Sequence, residues 1–575
     1  MDKKELASFL EEIATLLELQ GENPFKCNAY RAAAQTIETL DRNLEGFQTV
    51  EDFARLKGIG KSLAEKILVI LQTGTLPLYQ ELKQRIPSGL VEMLRIAGMG
   101  PKRVRTVYEK LGIISLGELE YACRENRLLE LPGFGVKIQE NTLKGIEYLK
   151  KAQGRFHLHK ALAAAHRLQE DLAKLPQVDR IETAGSIRRF KETVKDIDLL
   201  ITTAKPATVM NAFTSHPLVE SIIAHGETKS SVRLTMGINV DLRVVTKKEF
   251  PFALLYFTGS REHNIVLRGR AQKQGYKLNE YGLFKRQSTK SLDLKSEEEI
   301  YKALGLSYIP PELREDQGEI QAAEQGSLPQ LVTLKDLRGS FHIHTTSSDG
   351  AATIKEFAAY AQKQGLEYLG ISDHSRSAFY ANGLSTEKIL KQHREIDALN
   401  KSLKGFHIFK GIESDILPDG SLDYPEDILA LFDFVIISVH SKFKMTEEEM
   451  TKRIIKAMEN PHTTMLGHPT GRLLLAREAY EVDMEAIIQA AAQHGIIIEL
   501  NANPFRLDLD WRYIKKALDK GVLISINPDA HSLNDMKFVE LGVGLARKGW
   551  CEPRHVLNSY SATEVKKIFS KIHKS

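Results

Sequence analysis

The sequence predicts a multidomain chain in three stretches: an all-α N-terminal region, an α+β middle, and a C-terminal α/β barrel of seven strand–helix units. Three observations carry this. Apolar residues recur at helical spacing through the first 150 residues, at 6–19, 30–40, 50–55 and 63–71. From about 175 to 245 the pattern turns strand-like, as at 197–202 and 238–245, behind a helical stretch at 160–174. Beyond residue 333 short apolar runs alternate with helical stretches seven times, at 340–345, 367–372, 407–413, 432–440, 463–468, 495–501 and 522–527. Such alternation implies a parallel sheet, and its length favours a distorted (β/α)7 barrel over an open sheet.

A chain of 575 residues is too long for one hydrophobic core. Its 42% hydrophobic and 27% charged residues suit a globular protein. No run of 18 apolar residues occurs, and residues 1–12 read as a charged helix rather than a leader. The expectation is a cytoplasmic protein with no membrane partner. Cys27, Cys123 and Cys551 stand far apart, which excludes a disulfide framework and a cysteine zinc site. The net charge of +4 decides nothing, but residues 261–290 hold 8 basic and 2 acidic side chains, a footprint that suits a polyanion. Twelve of the 18 histidines lie in 333–575, as imidazole ligands would require.

One short pattern repeats three times in the helical region: Leu56 to Ala64 around Gly58 and Gly60, Ile96-Ala97 to Val104 around Gly98 and Gly100, and Leu131 to Ile138 around Gly133 and Gly135. Each couples an apolar residue and a Gly-x-Gly turn to a helix with Lys or Arg in its first turn, Lys102 among them. The glycines permit close approach of a ligand, and the helix start offers unpaired N–H groups to an anion. A lone Gly-x-Gly is an ordinary turn; three copies at spacings of 40 and 35 residues point to DNA phosphates.

In the middle, Gly185-Ser186-Ile187-Arg188-Arg189 precedes Asp196-Ile197-Asp198. Residues two apart on a strand share a face, so both carboxylates meet one site while Ile197 faces the core. A later strand carries Asp241. Three converging carboxylates need cations, and two Mg²⁺ ions suit phosphoryl transfer to a hydroxyl. Gly185, Ser186 and Arg189 would grip nucleotide phosphates.

The barrel carries its histidines and acids at the ends of the apolar runs: His342 and His344 two apart, then Asp349, His374, Glu413, His440, His468, and finally Asp529 and His531. In a βα barrel these positions share one rim. Nine nitrogen and oxygen donors without sulfur suit Mn²⁺, Zn²⁺ or iron and suffice for three ions. Arg472, in the loop after His468, reads either as a phosphate contact or as a surface arginine.

These motifs carry a family resemblance that spans Lys26 to His531. The three repeats look like helix-hairpin-helix modules. Gly-Ser followed by Asp-x-Asp and a third Asp resembles the nucleotidyltransferase superfamily. Tyr256-Phe257-Thr258-Gly259-Ser260-Arg261-Glu262-His263-Asn264 resembles the thumb segment of family X DNA polymerases. That match implies Tyr256 as the steric gate against ribonucleotides, Phe257 and Gly259 in the sugar pocket, and Asn264 at the minor groove. One departure is Lys195, where polymerase beta has glycine. Lys26, Tyr30 and the helix with Lys66 resemble the lyase domain of polymerase beta, which implies a Schiff-base lysine at Lys66 assisted by Lys26. Ser62 replaces a second family lysine, and a solvated helix lysine is the alternative. The His and Asp series resembles the polymerase and histidinol phosphatase (PHP) domain, with His344 among the catalytic ligands.

The resemblance implies the order 1–82 lyase-like domain, 83–150 fingers, 151–244 nucleotidyltransferase palm, 245–316 thumb, 317–332 linker and 333–575 PHP domain. It implies a monomer that fills gaps in gapped or primed DNA from deoxynucleoside triphosphates, associated with the nucleoid. The second domain would be a 3′→5′ exonuclease, with abasic-site endonuclease or 3′-phosphatase activity as further options. The alternatives are a DNA-targeted phosphatase and a DNA-binding scaffold.

Overall fold

The computed structural model describes residues 3–573 except 39, 41–43, 97 and 151–153. Met1, at the head of the expected charged helix, and Ala97, in the second hairpin pattern, lie outside the described residues. The chain divides into two compact units, Met1–Leu149 and Lys150–Ser575. Among the described residues no helix is long and apolar enough to cross a membrane.

The first unit is helical throughout, as the periodicity predicts. Leu6, Leu10, Ile13 and Leu17 of the helix Lys3–Gln20 are buried with Tyr30, Ala33 and Ile37 of Pro24–Glu38. The three hairpins share one backbone geometry. Gly58, Gly98 and Gly133 have φ of 83°, 87° and 82°, a region that side chains avoid. Gly60 and Gly100 then lead into the helices Lys61–Thr73 and Pro101–Leu111 with no side-chain cap, and Gly135 precedes Val136–Lys150. At Lys61 and at Lys102, which follows a proline without an N–H, no side-chain cap competes with an anion for the helix start.

The second unit begins with a five-stranded sheet. Its central strand Asp196–Thr203 pairs antiparallel with Val178–Thr183 and parallel with Asn239–Val244. Lys229–Leu234 and Val219–Ala224 extend the sheet beyond Asn239–Val244. Helices Leu158–Ala173 and Pro206–Thr214 pack on it, burying Ile197, Leu199, Ile201, Val240 and Leu242. Next come helices Phe250–Thr258 and Arg261–Lys273, the hairpin Tyr276–Asn279 and Gly282–Lys285, and helix Glu297–Ala303 around a second core.

The stretch 317–332, expected to be a linker, is folded onto that second core. Residues Glu319–Gln325 form a helix that buries Ile320 and Ala323. Glu319 is fully buried because its carboxylate meets His263 Nδ1 at 2.6 Å, and His263 Nε2 meets the Tyr301 hydroxyl at 2.9 Å. A polar sequence conceals this packing because its partners are remote.

The final region is a seven-stranded all-parallel sheet with neighbours in sequence order: Gly339–Ile343, Tyr368–Ile371, His407–Asp415, Phe434–Ser438, Met465–Leu466, Ile497–Asn501 and Ile524–Asn527. A parallel bridge from Ile343 to Ala530 brings the first strand against the last and nearly closes the barrel. Palm and barrel residues belong to one continuous hydrophobic cluster. At their contact the ring of Phe190 lies on Gly544 of the barrel helix Val539–Lys548; a Cβ there would stand 2.1 Å from the ring. Buried ion pairs tie the parts further: Glu297 holds Arg188 and Arg314 ahead of the barrel, and Glu315 holds Arg189 together with Lys548 of the barrel.

Candidate active sites

In the palm, Asp198 and Asp241 are direct register partners on adjacent parallel strands, and Asp196 lies on the same face two residues earlier. The three predicted carboxylates are therefore together. Gly185, with φ 67°, starts the short helix Gly185–Arg188; a Cβ on it would stand 2.3 Å from Asp198 Oδ2. Glycine is thus required by the carboxylate behind it as well as by any phosphate in front. Burial, and then the charges of Asp196 and Asp241, push Asp198 up to about 6. Burial would lift Asp241 too, but hydrogen bonds from Lys229 at 2.7 Å and Ser231 at 2.5 Å, with the charge of Arg243, hold it below the usual range. Lys229 and Ser231 act on the site from the neighbouring strand, and spacing within the acid motif gave no sign of them.

Ser186, Arg189, Lys195 and Asp196 line a cleft of ≈ 560 Å³. Arg189 is more committed than expected, since Nε meets Glu315 at 3.0 Å and Nη1 donates to the Thr258 carbonyl at 2.7 Å. Its neighbour Arg188 forms a bidentate pair with Glu297. The structure brings the thumb motif residues together. Tyr256 and Phe257 stand edge to face with centroids 5.2 Å apart, Phe257 covers the Arg243 guanidinium, and the Asn264 amide donates to the Tyr256 carbonyl at 2.7 Å. Gly259 leaves room for that amide, because a Cβ would stand 2.6 Å from Asn264 Oδ1.

In the first unit Lys102 is exposed in the opening turn of its hairpin helix. Lys66 is half-buried, its ammonium 5.7 Å from the Tyr30 ring centroid. Lys26 is paired with Glu22 at 2.8 Å.

The barrel brings all nine predicted donors to one rim. Three groups interlock: His344 with Asp349, His374 and His531; His342 with Glu413 and His468; and His374 with Glu413 and His440. His342, His344 and Asp529 make a further set. Glu413, fully buried, lies 3.2 Å from His342, 2.7 Å from His374, 3.3 Å from His440 and 2.9 Å from His468. Three of the donors adopt left-handed backbone, His342 at φ 57°, His468 at 23° and Asp529 at 51°, the kind of strain that collects at functional sites. His342 Nε2, both ring nitrogens of His344, Asp349 Oδ2, Glu413 Oε2 and His440 Nε2 are buried without a hydrogen bond. So dense a set of unsatisfied buried donors fits metal cations rather than protein partners.

The electrostatics of the metal-free cluster divide between lowered and raised imidazoles. Burial, then the charges of His531 and His374, pulls His344 down to about 3. Burial and the Arg506 charge pull His468 down to about 4. Burial is overcome at His440, which Glu413 and Asp415 raise to about 9. At Asp349 the surrounding imidazoles likewise outweigh burial and hold the carboxyl far below its usual range.

A second layer of residues was missed by the sequence reading. Glu499 meets His342 Nδ1 at 2.5 Å, accepts from the His468 amide at 2.6 Å and from Asn527 at 2.9 Å. Asp415 meets His440 Nδ1 at 2.6 Å. Such carboxylates fix the tautomer and angle of a ligating imidazole. Glu499 had a signal: the sixth apolar run, 495–501, was assigned no functional residue, yet holds an acid in an otherwise apolar strand. Arg472 proves structural. It donates to Asp510 at 2.6 Å and to the carbonyls of Arg506 and Leu507, which leaves it bracing a loop.

Comparison with known proteins agrees with this geometry. Family models match a helix-hairpin-helix domain at residues 1–76, a helix-hairpin-helix tandem at 90–141, a DNA polymerase beta thumb at 253–315 and a PHP domain at 340–503. The chain is 40% identical over 567 residues to the DNA polymerase/3′-5′ exonuclease PolX of Bacillus subtilis (strain 168), covering 98% of this chain and 99% of that protein. A probable phosphatase of Thermoanaerobacter sp. (strain X514) is 33% identical over 238 residues, 40% of this chain and 91% of that protein. A full-length match to a polymerase–exonuclease, together with a palm trio and a nine-donor barrel rim in one chain, places this protein in the PolX family of family X DNA polymerases that carry a C-terminal PHP domain.

Proposed function

We propose that this chain is a DNA-directed DNA polymerase with a 3′→5′ exonuclease in its barrel, acting on short gaps in DNA repair. The observation that carries the reading is the register pairing of Asp198 with Asp241 beside a cleft lined by Ser186 and Arg189, in a chain whose barrel holds a separate donor cluster. Asp196, Asp198 and Asp241 would hold two Mg²⁺ ions, which supply charge for the primer hydroxyl and the triphosphate. Gly185, Ser186 and Arg189 would hold the phosphates, Tyr256 as steric gate with Phe257 and Gly259 would line the sugar pocket, and Asn264 would contact the minor groove. Gly58, Gly60, Gly98, Gly100, Gly133, Gly135 and Lys102 would grip DNA phosphates, and Lys26 with Lys66 a 5′ end.

The nine barrel residues would hold up to three Mn²⁺ or Zn²⁺ ions that polarise a phosphodiester. Abasic-site cleavage or 3′-phosphate removal would draw on the same site. In this reading the palm covers 151–244 and the thumb extends past 316 to include the helix Glu319–Gln325. The protein acts as a monomer on primed or gapped DNA in the cytoplasm.

The test is extension and shortening of a labelled primer on a one-nucleotide-gapped duplex with Mg²⁺ or Mn²⁺. Asp196→Ala should lose extension and keep 3′ shortening, and His344→Ala should do the reverse. If Asp196→Ala retains every activity, the chain is a DNA-directed phosphatase. If wild type neither extends nor shortens, it is a DNA-binding scaffold.

A further inference from the structure

The cleft beside the palm carboxylates has two walls, and only one belongs to the palm. Ser186, Arg189, Lys195 and Asp196 line one side; Arg472, Leu474 and Arg512 of the barrel line the other. Six cationic side chains and two carboxylates, Glu192 and Asp196, line the cleft, while Glu315 meets Arg189 and Lys191 and Asp510 meets Arg472 and Arg512 from outside it, so the cations still outnumber the acids. The excess of positive charge suits a polyphosphate.

The barrel wall is held in place by specific contacts with the palm. His157 Nε2 meets the Leu474 carbonyl at 2.9 Å, and its ring packs edge-on to Phe505 with centroids 4.8 Å apart. Leu474 in turn donates its amide to the Phe505 carbonyl. Lys191 of the palm and Lys548 of the barrel both lie over the ring of Trp511, at 5.7 and 4.6 Å from its centroid. Trp511 opens the helix Trp511–Asp519, and Arg512 follows it directly.

The two barrel arginines differ in what they have left to offer. Arg472 has a side chain 13% exposed and is used up by Asp510 and two carbonyls. Arg512 is 55% exposed, shares Asp510 through Nη1 at 2.7 Å, and stands 3.8 Å from Glu192. Asp510 thus serves two arginines, both of which also lie 3.8 Å from Glu192, and of the pair only Arg512 keeps an exposed guanidinium toward the cleft.

We infer that the PHP barrel completes the nucleotide-phosphate site of the polymerase half, with Arg512 as its contact to the incoming triphosphate and to the pyrophosphate that leaves. The inference rests on the polymerase reading above. It makes Arg512 a specificity-determining residue for a reaction whose carboxylates lie in another domain. Because the group is exposed on a long stem and held only at its Nη1 by Asp510, it adds charge to the β and γ end of the triphosphate.

The experiment is steady-state filling of a one-nucleotide gap by the full chain, for wild type, Arg512→Glu and Arg512→Lys, with sodium pyrophosphate as product inhibitor. Arg512→Glu should raise the nucleotide KM roughly tenfold, more than it lowers kcat, and weaken pyrophosphate inhibition to a similar degree. Arg512→Lys should restore most of both, while 3′ shortening and melting temperature report that the fold is intact. An Arg512→Glu chain that extends with wild-type KM and wild-type pyrophosphate inhibition overturns the inference alone. A wild-type chain that does not extend overturns the polymerase reading and the inference with it.

Discussion

Asp198 is the palm residue whose charge is hardest to keep in the metal-free protein. Burial and two neighbouring carboxylates put its folded pKa at about 6 against an ordinary 3.8. The folded state therefore prefers the protonated acid. That contribution is whole below pH 3.8 and is lost as pH rises through about 6. At pH near 8 the chain carries the full penalty, on the order of 1–3 kcal/mol. Asp198→Asn should thus melt a few degrees higher than wild type in EDTA at that pH. The difference should shrink near pH 4 and reverse in millimolar Mg²⁺. Equal melting temperatures in EDTA at high pH would count against this account. The acids themselves were legible, because alternation with Ile197 and Leu199 needs only local spacing. Lys229 and Ser231, which keep Asp241 ionised, were not, since only the register Ser231↔Asp241 brings their strand alongside.

Between elements, Glu315 is the junction of greatest consequence. With 7% of its side chain exposed it meets Lys548 at 2.6 Å, Arg189 at 3.0 Å and Lys191 at 3.3 Å, so thumb, palm and barrel converge on one carboxylate. Removing a buried acid that serves three cations strands all of them, whereas removing one cation leaves the acid paired. Glu315→Ala should cost about 3–5 kcal/mol in urea unfolding, and Lys548→Met distinctly less. A reversed order would mean that the lysine's packing on Trp511 matters more than the charge. Elements with strong periodicity were predicted well, the seven barrel strands most of all. The helix Glu319–Gln325 was taken for linker because its one isoleucine and two alanines give too weak a pattern, and its buried acid finds His263 only through the fold.

For the whole molecule, the sequence shows the order of the parts but not their union. Nothing local to residues 156–244 announces that their apolar cluster continues into the barrel. Since palm, thumb and barrel share cores and buried ion pairs, residues 150–575 should unfold in one calorimetric transition. Separate melting of the barrel would contradict this. A chain ending at residue 330 would expose the palm face of the shared cluster and should aggregate rather than polymerise. The probable phosphatase of Thermoanaerobacter sp. (strain X514) matches 238 residues over 91% of its own length, too short a protein to hold counterparts of both halves. Gly544 gives that contrast a hereditary meaning. A gene that exchanged its barrel for a free-living cousin's by recombination would need, at one helix position, a residue with no side chain to seat Phe190. A single added methyl group there would press on Phe190 of the palm although it lies in the barrel, so a change in one half would be felt as a fault in the other.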